Sequence, residues 1–477
     1  MADPDGTVAQ RQLSRCLSLL VRGAPSAAEV EALFGPEFLQ AVPAAALADM
    51  LGRELPVRTA TPLSVATKGE HEVVAVVPLA NGTSVRFAAR TEDAAPYRFV
   101  AFDVGAAASG DGPRIPWEQL TAAEPSPTIA SELDDKLTVK LNELVAGHRR
   151  QHRTPGLIAL VADEAGRLLW WRAEGVAQLE PPLPPSPTMA VRIGSVTKTM
   201  SALAVMQLVE AGRVALHAPV ARYLTSVPIT GPHATDVTVW HLLTHTGGLA
   251  SRAGADIGVD QGTPVPSLAS FYDGGVAADH APGHDWAYSN DGYALLGQLV
   301  EDVTGRPFHE HMLAAVFDPL GMTQTSVRRD SRIPAPLFQG LDIELDDVVS
   351  APYRDIITEG AGSVFSTPTD MARYGAAVHG LGTNAAGRAL STEMFQQLLT
   401  PQGPELPRPG LQMGLAWVLG ELDGAPMSWH NGGWPGANSE LLVLPNQKGT
   451  VLVFANTLAD GLDELCLNLG RELVRAG

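Results

Sequence analysis

Strand-like runs lie near both ends of the carboxyl-terminal two thirds of this chain, with a long helical stretch between them, and that distribution constrains the fold most. Gly156–Asp163 and Arg167–Gly175 read as a hairpin around Glu164-Ala165-Gly166. Leu411–Leu419, Met427–His430, Glu440–Leu444 and Thr450–Asn456 form a second group, closed by a helix from about Asp460 to Arg475. A helix is expected over Ile129–His148 as well, and residues from about 195 to 400 are mostly helix and loop. Strands supplied from both ends must meet in one antiparallel sheet, with helices packed on it and a helical part inserted beside it. The expected class is therefore α+β.

Residues 1–105 read as a separate, smaller α+β unit. Helical periodicity covers Gln10–Val21, Ala27–Leu39 and Pro43–Leu55. Strand-like stretches follow at Glu72–Leu79, Ser84–Arg90 and Tyr97–Val104, with an Asn81-Gly82 hairpin turn between the first two. Helices followed by a curled antiparallel meander resemble cystatin- or NTF2-like domains. This region shows no convergent polar set, so a structural or lid role is expected of it. Residues 106–128 are rich in Ala, Gly, Ser and Pro and read as a linker, leaving 129–477 as the larger domain.

The formal net charge of −19 argues against nucleic acid as a partner, since that binding depends on Lys and Arg neutralising phosphates. No apolar run approaches the roughly 18 residues of a membrane span, so no membrane partner is expected. The start Met1-Ala2-Asp3-Pro4-Asp5 carries early acids rather than a basic-then-apolar leader, which favours the cytoplasm. Cys16 and Cys466 have no metal or redox spacing and read as small buried hydrophobes.

Three short motifs carry chemistry. Ser195-Val196-Thr197-Lys198 opens a long apolar helix over Val196–Glu210, and it is the single Ser-x-x-Lys among 24 serines and five lysines. A serine in the first helical turn lies where unpaired N–H groups favour developing negative charge. Lysine three residues on shares its helix face, and burial can strip its proton, so nucleophile and base fit in one turn. Tyr288-Ser289-Asn290 follows a loop signal, Ala281-Pro282-Gly283-His284, and precedes an apolar helix over Gly292–Thr304. Its tyrosine suits a general base or proton shuttle, and its asparagine can orient the lysine and a substrate carbonyl. A packed tyrosine beside an N-cap asparagine is the plain structural alternative. His430-Asn431-Gly432-Gly433 lies on an expected strand, where glycines allow close approach to the backbone. The Gly433 N–H, with that of Ser195, would make an oxyanion hole. His430 reads as a proton donor, a hydrogen-bond anchor or a structural strand residue.

Taken in this order, the motifs resemble those of the serine β-lactamase and penicillin-binding-protein-like superfamily. The nearest pattern is the branch of class C β-lactamases, family VIII carboxylesterases, D-aminopeptidases and transacylases. His241-Leu242-Leu243-Thr244-His245-Thr246-Gly247-Gly248-Leu249, Pro319-Leu320-Gly321-Met322 and Gly360-Ala361-Gly362-Ser363 match as well. The resemblance covers about 129–477 and implies a β-lactamase-like fold with a helical subdomain. It implies that Ser195 is acylated, that Lys198 and Tyr288 share the proton work, and that Asn290 binds the substrate. His430 stands where β-lactamases usually carry a lysine that holds an anionic carboxylate, and histidine is more typical of esterase, D-peptidase and transacylase relatives.

The expected activity is therefore covalent hydrolysis or acyl transfer on a small ester or amide, without cofactor or metal. A β-lactamase or D-Ala-D-Ala carboxypeptidase is the alternative, and a non-catalytic binding protein the alternative of another class. His241 and His245 have a zinc-like i, i+4 spacing, but no Glu follows His241 in the metalloprotease manner and no third ligand is evident; a structural role is expected. The absence of Gly-x-Ser-x-Gly counts against an α/β-hydrolase.

Overall fold

The computed structural model describes residues 6–54, 57–79, 84–106, 113–250, 257–260 and 262–477. They fall into two compact units. The smaller holds the described residues up to Leu120 together with 342–352. The larger holds the other described residues from Thr121 onward, without that 342–352 insertion.

In the smaller unit, helices Val8–Arg22, Ala27–Leu33, Pro36–Ala41 and Ala44–Glu54 precede the strands Ser64–Lys68, Glu72–Pro78, Ser84–Thr91 and Phe99–Ala106. The strands pair in that order as an antiparallel meander. Leu13, Leu17, Val30, Phe34, Val73, Val77, Phe87 and Phe99 make its core. The helix expected over Ala27–Leu39 is two helices, because Gly35 caps a new one with Pro36 in its first turn. Ser64–Lys68 is exposed along its whole length, so it has no apolar alternation for sequence to display. The Asn81-Gly82 turn lies outside the described residues.

The stretch read as a linker carries structure where it is described. Arg114–Pro116 is a strand, and Trp117–Ala123 is a helix. Arg114–Pro116 pairs with Asp347–Ser350, which itself pairs with Leu341–Glu344, so a hairpin from late in the chain completes a three-stranded sheet. Lys68 and Arg114 hold this hairpin through Asp346 at 2.8 Å and Glu344 at 2.9 Å.

The larger unit is built on an eight-stranded sheet. Its order is Gln412–Met413, Val418–Leu422, Ala425–Trp434, Ala437–Leu444, Gly449–Ala455, Gly156–Asp163, Leu168–Gly175 and Thr128–Ser131. The two ends of the domain do meet in one sheet, where Gly449–Ala455 runs antiparallel to Gly156–Asp163. The helix expected from Ile129 starts later. Thr128–Ser131 is an edge strand on Leu168–Gly175, and Asp134 caps the helix Asp135–His152 by accepting the Leu137 N–H at 3.0 Å.

The central strands are buried on both faces, and alternate residues enter different cores. Ile158, Leu160, Leu452 and Phe454 join the core on the face covered by the helix Pro368–His379. Leu157, Ala159, Val451 and Val453 pack toward Leu141 and Val145 on one outer helix and Leu465 and Leu469 on the closing helix Leu462–Ala476. Cys466 lies in that second core, and Cys16 in the core of the smaller unit; both are free thiols. Thr197–Met206 is buried without interruption, so this central helix is covered on every side and its polar residues Thr197, Lys198, Thr199 and Ser201 are buried with the rest. Among the described residues, no helix is long and apolar enough to cross a membrane.

Candidate active site

The nucleophile turn is pressed onto the strand Ala425–Trp434. Ser195 sits in a single 3-10 turn, Gly194–Val196, that leads into the helix Thr197–Glu210. Gly194 has φ +48°, and a Cβ on it would stand 2.8 Å from the Gly433 nitrogen. A Cβ on Gly432 would stand 2.1 Å from the Ile193 oxygen and 2.7 Å from the Ser195 nitrogen. Both positions admit only hydrogen. Ser439, opposite Gly432 on the neighbouring strand, closes the contact by donating its hydroxyl to the Ile193 carbonyl at 2.7 Å. The sequence suggests that this glycine pair admits substrate. The structure divides the pair: Gly432 admits the nucleophile turn, and Gly433 lines the cleft.

Lys198 is wholly buried one turn below Ser195. Its Nζ lies 3.0 Å from Ser195 Oγ, 2.8 Å from Asn290 Oδ1 and 2.7 Å from the Ala361 carbonyl. Burial holds its pKa well below that of an ordinary lysine. Two of the three partners are carbonyl oxygens, which accept only. An ammonium donates to all three; once it gives up one proton, the two carbonyls, which accept only, keep the remaining N–H groups and the lone pair falls to Ser195. The Ala361 carbonyl is placed by a glycine-on-glycine contact: Gly360 lies against Gly297 of the helix Asn290–Thr304, where a Cβ on Gly297 would meet the Gly360 Cα at 3.2 Å.

Tyr288 immediately precedes Ser289, which caps that helix by accepting the Gly292 N–H at 2.9 Å. Serine is therefore the cap, and Asn290, the first helical residue, keeps its side chain for Lys198. The Lys198 Nζ is 4.8 Å from the centre of the Tyr288 ring. Tyr288 presents 43% of its surface, yet the walls around its phenol push its pKa upward, against the pull of a hydrogen bond with Ser195. Lysine and tyrosine are thus driven in opposite directions, toward a neutral amine and a neutral phenol.

His430 is buried on its strand, and its Nδ1 lies 2.6 Å from the Asn431 carbonyl. That carbonyl requires Nδ1 to carry the hydrogen, which leaves Nε2 bare. Burial first, then the nearby Lys198, lowers its pKa to about 3. Among the described residues it makes no hydrogen bond to Ser195, Lys198, Tyr288 or Asn290.

The cleft beside Ser195 is lined by Asn290, Gly433, Ile257, Ile356, Thr358, Trp434, Ala361 and Gly362. Leu458, 61% exposed, stands within 3.0 Å of where a Gly433 Cβ would be. Sequence reasoning missed the Ala361 carbonyl, since a main-chain acceptor has no residue signature, although its flanking glycines were visible. It also set His245 aside, and the structure stacks that ring on Tyr288 at 4.5 Å between centroids.

Residues 141–472 match the family described as Beta-lactamase. The chain belongs to the beta-lactamase family. Proteins of this family such as the esterase EstB are serine hydrolases. EstB of Burkholderia gladioli is 36% identical over 224 residues, 43% of this chain and 55% of the esterase, so the match spans about half of that relative. Penicillin-binding protein 4 of Amycolatopsis lactamdurans is 30% identical over 322 residues, 65% of this chain and 82% of that protein. Among solved structures, a D-stereospecific amidohydrolase from Streptomyces sp. superposes with a TM-score of 0.58 at 25% identity, over 70% of this chain and 98% of that one.

Proposed function

We propose that this beta-lactamase family member is a serine acyl-enzyme hydrolase or transacylase acting on a small, uncharged ester or amide. The observation that carries the reading is the buried Lys198 Nζ, which touches Ser195 Oγ and is otherwise held by the carbonyl oxygens of Asn290 and Ala361, so that its neutral form turns its lone pair to the Ser195 hydroxyl. Ser195 Oγ attacks the substrate carbonyl carbon while its proton passes to Nζ. The N–H groups of Ser195 and Gly433 receive the oxyanion, supported by the position of the 3-10 turn against the glycine strand. As the carbon–heteroatom bond breaks, the Tyr288 phenol protonates the leaving group, and the Lys198 ammonium returns its proton to the phenolate. Water or another acceptor then takes the acyl group from Ser195 by the same steps reversed.

The uncharged substrate follows from the walls. Ile257, Ile356, Trp434 and Leu458 offer apolar surface, and the bare His430 Nε2 offers an acceptor where a lysine would have fixed a carboxylate. Intact-mass analysis after incubation with p-nitrophenyl esters, D-amino acid amides and nitrocefin tests the reading. One acyl adduct on Ser195, absent from Ser195→Ala, is the expected result. Turnover that survives in Ser195→Ala would refute it.

A further inference from the structure

We propose that His245 is the positioning residue that aims Tyr288 and Asn290 at Ser195 and Lys198, a role that rests on the reaction centre described above. The helix Val239–Leu243 ends just before it, and His245 itself has φ +59°. That left-handed backbone is unfavourable for a residue with a Cβ, so it persists where the surroundings require it. Here the requirement is visible. The His245 carbonyl accepts the Ala287 N–H at 2.9 Å, and its Nδ1 accepts the Ser289 N–H at 3.0 Å. Between these two bonds its ring lies on the Tyr288 ring, 28° from parallel. One residue thus grips three consecutive residues, and the next one along is Asn290.

The hollow on that side of the segment is lined by His241, His245, Gly248, Tyr288 and Ser289, but not by Ser195. His241, the other half of the apparent metal pair, is engaged elsewhere: its Nδ1 accepts the Thr238 N–H at 3.0 Å, one half of a capping box.

The tautomer follows from the grip. An Nδ1 that accepts leaves the hydrogen of a neutral ring on Nε2, which is buried and has no partner among the described residues. A second proton would turn Nδ1 into a donor facing the Ser289 donor and break the hold. Burial, then Lys198 and His430, keep that proton away.

Three variants of the full chain separate the parts of this role. His245→Ala removes ring and acceptor. His245→Phe keeps a ring but leaves the Ser289 N–H unpaired. His245→Asn keeps an acceptor at the Nδ1 position on a side chain that tolerates the left-handed backbone. The readout is the rate at which a fluorophosphonate probe labels Ser195, measured from pH 6 to 10 and normalised to folded protein by circular dichroism. His245→Ala should label roughly 100-fold more slowly, with a displaced pH profile, because Tyr288 and Asn290 no longer set the surroundings of Lys198. His245→Asn should recover at least about tenfold of that loss, and His245→Phe less than Asn. Should the alanine variant not fold, the order of Asn above Phe decides the matter. Wild-type labelling rate and pH profile in a folded variant with only a lowered melting temperature would make His245 merely structural and overturn the inference. Failure of wild-type Ser195 to label would instead bring down the reaction centre, and this role with it.

Discussion

Two buried basic side chains lie close to Ser195 on different elements, and burial lowers the pKa of both. Lys198, on the helix Thr197–Glu210, touches Ser195 Oγ and is otherwise held by two carbonyl oxygens. His430, on the glycine strand, has its one N–H tied to the carbonyl of its own neighbour. Removing charge is therefore common to both. In the proposed mechanism, what separates the proton acceptor Lys198 from the uninvolved His430 imidazole is which partners fill the remaining valences, and that depends on elements far apart in sequence.

The largest effect should come from denying Lys198 its lone pair. Lys198→Arg keeps the positive charge, yet a guanidinium does not give up its proton. Pre-steady-state acylation of Ser195 with a p-nitrophenyl ester should fall by about 10⁴-fold or more, comparable with the loss of a triad member. Acylation at the wild-type rate in a folded variant would break the contrast at its stronger end. Tyr288→Phe, which removes the neutral phenol, should cost about 10²–10³-fold in the same assay, the size of a general acid–base contribution. A loss below tenfold would take leaving-group protonation away from Tyr288 and leave the Lys198 ammonium as its proton source.

The weaker base predicts smaller effects. Because a neutral His430 gives a substrate carboxylate no fixed cation, ester or amide turnover should exceed nitrocefin turnover by at least about tenfold, or about 1.4 kcal/mol. Equal rates in a steady-state comparison would contradict the uncharged-substrate reading. His430 also has a signature in stability. Its folded pKa of about 3 lies below the ordinary 6.5. Below pH 6.5 the unfolded chain therefore binds a proton that the folded chain refuses, and stability falls as the pH falls. Above 6.5 neither state binds it and the effect disappears. Between pH 7 and 5, urea unfolding should show the wild type losing roughly 2 kcal/mol more than His430→Gln. Parallel losses in the two proteins would mean that His430 is not a buried neutral base.

Ser195, Lys198, Tyr288 and Asn290 were legible because each pair is bound by short spacing: one helical turn, or one loop entering a helix. The sheet drawn from both ends was legible for a different reason. Its central strands are apolar on both faces and stand out as runs. What stayed hidden depends on long-range or main-chain geometry. Ala361 contributes a carbonyl that any residue possesses. His245 acts through a left-handed backbone, and its spacing from His241 suggested a metal pair instead. The use of Gly432 became visible only with the Ile193 carbonyl placed against it. Thr128–Ser131 is an exposed edge strand without apolar alternation, so helical periodicity downstream absorbed its first residues.

The hairpin Leu341–Ser350 has a consequence for biosynthesis. Val349 pairs with Arg114 across more than 200 residues of sequence, so the smaller unit is not complete until much of the larger one has been made. At typical elongation rates of about 5–20 residues per second, Arg114–Pro116 waits on the order of ten to fifty seconds for its neighbour strand. Through that interval the nascent chain carries an open strand edge, of the kind that invites pairing with other chains. Slow synthesis between these two segments, or truncation before Asp347, should therefore expose this protein to aggregation through its non-catalytic end, even when every residue of the reaction centre is correct.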